Sequence, residues 1–216
     1  MEKSNKHLED LSEIRNLMER STRFLSLSGW SGISAGIFAI LGAIAAYLYL
    51  EGGNIYYDES LRILSGEKNI PPRVFLLGDA VIVLMLALIS AVYFSWKKAK
   101  TLGEKIWSPV IKRLLFHITV PLAAGGLLSL ILIWQNHVNL VAPLTLIFYG
   151  TALLNAGKYT NREVIWLGMA EIITGLAAAF WQEFGLYFWA LGFGLYHIIY
   201  GVTLYYKYDR KVNRDE

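Results

Sequence analysis

Two ionisable residues stand out by their surroundings. Glu171 lies inside GMAEIITG, residues 168–175, and His197 inside GFGLYHIIYG, residues 192–201. An acid and an imidazole set in apolar, glycine-flanked stretches can hold and pass a proton, since imidazole changes charge near neutral pH. Ionisable groups within membrane segments commonly mark such relays or the path of a substrate. Gly168, Glu171, Gly175, Ala178 and Gln182 recur at helical spacing and so share one stripe. Ala190, Gly194, His197, Gly201 and Leu204 do the same on the next segment. Counted at the helical rise, Glu171 lies roughly 12 Å and His197 roughly 15 Å from the same side. The spacing predicts that the two side chains meet across a narrow seam.

His117, one turn inside Arg113, and Asn155, just before Lys158, extend this polarity, together with Tyr149, Tyr196 and Tyr200. Glu171, His197, His117 and Asn155 are therefore the expected ion, substrate or proton site, in a polar cavity open toward the cytoplasm. Asp79 lies nearer the other side and is expected to reach water there.

Other chemistry finds little support. The sequence holds no HExxH, no GxSxG, no close carboxylate pair and no histidine cluster at metal-ligand spacing. Without cysteine there are no disulfides or thiolate sites. His117 and His197 are haem-ligand types, but each is alone on its helix, so neither a cofactor nor a metal is expected. Catalysis is not the expected role.

The elements that must position these residues follow from composition. Hydrophobic residues make up 55% and charged ones 17% of 216 residues, too apolar for a soluble domain of this size. Six segments without Lys or Arg, about 28–50, 74–96, 114–134, 138–156, 163–181 and 186–206, approach or exceed the length that spans about 30 Å of hydrocarbon. Backbone satisfaction in lipid and the absence of a period-2 pattern make them helices, so the expected fold is an all-α, six-helix membrane bundle. Of 20 Lys and Arg residues, 17 fall on the side of the termini, leaving Arg62, Lys68 and Arg73 opposite. The positive-inside rule then predicts cytoplasmic N- and C-termini. Trp30, Trp96, Trp134, Trp166, Trp181 and Trp189 sit near span ends, as an interfacial belt requires, and Trp107 lies in a basic connection.

The chain divides into residues 1–27, the bundle over 28–206 and a charged tail, 207–216. The first part carries Leu8, Leu11, Ile14, Met18 and Leu25 at helical spacing, an amphipathic helix for the headgroups or for a cytoplasmic protein partner. Across the membrane, Asp58 to Leu64 reads as a short helix before Pro71 and Pro72. The connection KKAKTLGEKIWSPVIKR, 97–113, anchors helix ends and attracts anionic lipid. The basic balance is thus a topology signal, and no nucleic-acid partner is expected. Ala43-Ile44-Ala45 resembles a signal cleavage site, but the preceding residues are too many and too acidic. The absence of N-x-S/T sequons fits a bacterial inner membrane.

Small residues line one side of the first span, with Gly32 and Gly36 forming GxxxG. Small faces let helix backbones approach closely in lipid. The expected use is packing within the chain; homodimerisation through this span is the other use. Gly168, Gly175, Gly194 and Gly201 are assigned the same packing role. A faint repeat matches IFYGTAL, 147–153, with IIYGVTL, 198–204, as if spans three-four and five-six were copies of one hairpin. The functional expectation is a proton-responsive site for moving or sensing a small solute or ion. The alternative is a scaffold that recruits a partner through its first helix and basic connection.

Overall fold

A computed structural model of the chain describes residues 27–55, 72–103 and 107–210. The expected amphipathic helix, the short helix over 58–64, residues 104–106 and the end of the tail lie outside the described residues. Among the described residues there is no strand, and six helices are long and apolar enough to cross a membrane. They are α1 (Gly29–Ile55), α2 (Pro72–Thr101), α3 (Pro109–Trp134), α4 (Val141–Ala156), α5 (Arg162–Phe180) and α6 (Gln182–Asp209). The last is composite: a 3-10 turn, Gln182–Phe184, leads into α-helical Gly185–Trp189, π-helical Ala190–Tyr196, α-helical His197–Leu204 and π-helical Tyr205–Asp209.

Two helices run past the charges taken as span ends. α2 continues through Lys97, Lys98 and Lys100, because a terminal helical turn can hold lysines at its carbonyl end. α3 begins at Pro109 rather than near residue 114: Ser108 is extended and its side chain accepts from the Ile111 amide, while proline suits the first helical turn. Asn136, with φ of 66°, turns the chain from α3 toward the 3-10 turn Val138–Leu140 that precedes α4. Asparagine tolerates that left-handed conformation better than most residues.

Helix α1 packs between α2 and α6, and α4 packs between α3 and α5. Both contacts α1–α6 and α4–α5 are made by glycines. A Cβ on Gly32 would stand 2.9 Å from the Gly201 Cα, and one on Gly36 2.5 Å from the Gly194 carbonyl oxygen. On the other pair, a Cβ on Gly168 would stand 2.8 Å from the Gly150 oxygen, and one on Gly175 2.7 Å from Ile147 Cγ1. The small face of α1 is thus occupied by α6, and a homodimer through Gly32 and Gly36 would have to displace that helix.

The two seams share one plan. Gly36 meets Ile198 as Gly175 meets Ile147, and Gly29 and Ile33 approach Gly201 as Gly168 and Ile172 approach Gly150. Gly201 and Gly150 are the glycines of the repeat seen in the sequence. α1 therefore stands to α6 as α5 stands to α4, which brings the first hairpin into the same repetition. The equivalent third contact is not built: α2 and α3 do not pack closely on each other, and they are the least buried of the six helices.

At one end the helices are tied by charge. The Asp209 carboxylate accepts from the Gly29 amide at 2.8 Å and the Ser28 hydroxyl at 3.1 Å, and lies 2.7 Å from Lys98 Nζ. Lys98 also donates to the Leu27 carbonyl at 2.7 Å. Beside it, Glu163 of α5 accepts from Lys207 and Tyr208 of α6. This is the basic end of the bundle; the other is called here the loop end. Asp209 and Lys98 side chains are each only 10% exposed, so removing one leaves the other charge without its partner. Asp209→Ala is expected to cost about 3 kcal/mol, the low end for breaking a buried pair. Lys98→Met added to it should cost less than the two single changes summed. Denaturant unfolding in detergent checks this, and strictly additive losses would refute the coupling.

Candidate functional site

The stripes read from the sequence face inward. Gly168, Glu171, Gly175 and Ala178 are buried on α5, as are Gly194, His197, Gly201 and Leu204 on α6, while Gln182 is exposed. Glu171 is completely buried, an uncommon place for a carboxyl. Its room comes from Gly192: a Cβ there would collide with Glu171 Oε2 and approach Leu146 Cδ2 to 2.5 Å. Packing thus admits the acid by omitting a side chain on the facing helix.

The structure brings His197 to this acid, with Nδ1 3.6 Å from Glu171 Oε1. The imidazole is held by other partners. Nδ1 lies 3.1 Å from the Gly192 carbonyl oxygen, and Nε2 lies 2.7 Å from the Tyr149 hydroxyl on α4. A neutral ring with its hydrogen on Nδ1 donates to the carbonyl and accepts from tyrosine; a charged ring donates to both. Gly192 belongs to the π-helical stretch Ala190–Tyr196. A π-turn spaces backbone partners five residues apart, and such bulges recur at functional sites. Here it presents the carbonyl of residue 192 to the side chain of residue 197.

Glu171 receives no comparable support. Among the described residues neither carboxyl oxygen has a hydrogen-bond partner, and 3.6 Å to the imidazole is too long to count as one. Most buried polar atoms are hydrogen-bonded, so an orphaned carboxyl calls for an explanation beyond packing. The gap to Nδ1 is small enough that modest movement of either side chain makes or breaks a charge-assisted bond. Around the pair, Phe193 lies 5.0 Å from the Tyr149 ring, 6.1 Å from the His197 ring and 5.1 Å from Trp189, measured between centroids. Thr174 and Tyr196 share a hydrogen bond at 3.2 Å nearby.

His117 and Asn155 are not drawn into this group. His117 is exposed on α3 and stacks on Tyr159 at 5.4 Å, and Asn155 is half-buried on α4 with no described contact to the pair. Tyr200 packs against Leu114, Ala156 and Val164. That apolar cluster lies in the half of the bundle where a polar cavity was expected. Two cavities lie at the loop end. One is bounded by Asn139 and Phe180 to Phe184; the other is a groove that Asp79 lines.

Tyr149 is the partner that sequence reasoning placed in the polar half without a role, and Gly192 is the one it missed. Nothing in helical periodicity marks residue 192, because it lies off the stripe by the width of the π-turn. Asp209 was missed as well: only the meeting of the first and last helices makes it a buried anchor. A scan of protein-family models, a search of curated proteins and a search of solved structures each returned no match to this chain.

Proposed function

We propose that the chain crosses a membrane six times with both termini in the cytoplasm, and that Glu171 and His197 form a proton-binding centre serving movement or sensing of a small solute or ion. A bacterial inner membrane suits this reading. The observation that carries it is the enclosed Glu171 carboxyl, without a hydrogen bond among the described residues, beside an imidazole that two other groups hold in position. A carboxyl so placed can carry charge only opposite a cation, and the imidazole is within reach to become one. Proton uptake at one partner therefore alters what the other can hold. Because Gly192 bonds His197 and abuts Glu171, a proton shift at the pair bears directly on the π-helical stretch of α6, an element whose hydrogen-bond register can change.

Infrared difference spectra of proteoliposomes, recorded while pH is stepped, test the proposal. A protonated-carboxyl stretch that responds to pH is expected in wild type, absent from Glu171→Gln and displaced in His197→Ala. A Glu171 band that stays constant across the pH range in which the protein is folded would leave the pair as a structural contact between α5 and α6.

A further inference from the structure

The second cavity at the loop end is a groove of about 470 Å³, within the size range of sites for small organic ligands. Its walls are apolar, from Ala46 of α1, Leu76 and Leu77 of α2, Val141 of α4, and Leu186 and Trp189 of α6. Against this surface stand two carboxyl groups, Asp79 and Glu183, and the amides of Asn139 and Gln182. No Lys or Arg lines it among the described residues. Asp79 is half-buried and lies against Gly42, where a Cβ would be 3.2 Å from Oδ2, whereas Glu183 is exposed at the rim. Neither takes part in a salt bridge among the described residues.

We propose that this groove binds a free lipophilic cation, an organic molecule with an apolar body and a single positive charge. Apolar walls take the body, and the half-buried Asp79 supplies the opposite charge. Glu183 at the mouth adds to the attraction, and Trp189 offers a ring face of the kind that favours cations. A phospholipid is the weaker candidate on charge grounds: its phosphate would face two carboxylates with no described basic residue to balance it. Access is available from the side, since the groove is shared by α2 and Ile133 of α3, the two helices that do not close on each other. The binding site goes beyond the proton-centre reading and does not depend on it.

Equilibrium binding of radiolabelled tetraphenylphosphonium to the full-length protein in phosphatidylcholine nanodiscs tests the site. Saturable binding is expected. Asp79→Asn should weaken it about tenfold or more, as loss of a partly buried opposite charge implies, and Glu183→Gln should weaken it less. Leu186→Trp, which fills the groove without touching a charge, should abolish binding, so the test stands even if Asp79→Asn fails to fold. Uncharged triphenylphosphine oxide and short-chain phosphatidylcholine should not compete. Absence of saturable binding, full affinity in folded Asp79→Asn or in Leu186→Trp, or equal competition by either control would overturn the proposal. Glu171→Gln should bind tetraphenylphosphonium as wild type does, so failure of the proton centre and failure of the groove are separate results.

Discussion

Glu171→Gln is expected to abolish proton-linked activity while leaving the protein at least as stable as wild type. Glutamine keeps the shape of the side chain but cannot take up or release a proton. Proton flux into vesicles carrying an entrapped pH dye, under an imposed gradient, should fall about 10²-fold or more, the scale of losing a positioned acid or base. Stability should move the other way, because the wild-type carboxyl has no hydrogen bond to lose among the described residues and its burial is itself costly. His197→Ala should behave differently. It removes both ring contacts and leaves the Tyr149 hydroxyl without its histidine partner, a loss of about 1–3 kcal/mol. If the pair merely locked α5 to α6, the two variants would be destabilised alike. A Glu171→Gln unfolding midpoint lowered as far as that of His197→Ala would therefore favour the lock.

Much of the architecture was legible because lipid-scale hydrophobicity is a strong signal. The long apolar runs without Lys or Arg mark the six helices, and the spacing of Glu171 and His197 among glycines marks which faces turn inward. Where the reading fell short, the cause was local. Lys97 to Lys100 look like a boundary, yet a helix does not end where its side chains become charged, and α2 continues to Thr101. The π-helical stretch over Ala190–Tyr196 has no composition of its own, so the Gly192 carbonyl could not be seen as a histidine partner. The expected grouping of His117 and Asn155 with the pair fell short for a different reason. Polar residue types at one end, His117, Asn155 and Tyr200, suggested a shared site, but Tyr200 lies on the apolar cluster and His117 turns to Tyr159.

The largest structural effect is expected at Gly201. A Cβ there would stand 2.5 Å from the Gly29 carbonyl oxygen and 2.9 Å from the Gly32 carbonyl carbon. Both obstacles are backbone, which no rotamer change can move, so α1 must shift away from α6 along the whole seam. Gly201→Leu should then yield little folded protein, a loss beyond the roughly 1–3 kcal/mol usual for overpacking. Gly126→Leu is the matched control: it is also a glycine in the middle of a long helix, but nothing lies within 4 Å of its added Cβ. Leucine has the better helix propensity, so this variant should be neutral or slightly stabilised. Gly150→Leu should resemble Gly201→Leu, since the Gly168 oxygen lies 2.6 Å from its Cβ position. Fluorescence-detected size exclusion and thermal unfolding in detergent would rank the three. Equal loss at Gly126 and Gly201 would mean that glycine serves helix flexibility here. Loss confined to Gly150 and Gly201 would mean that close backbone approach, used at the same repeat position in both seams, holds the bundle together and sets the faces that carry Glu171 and His197.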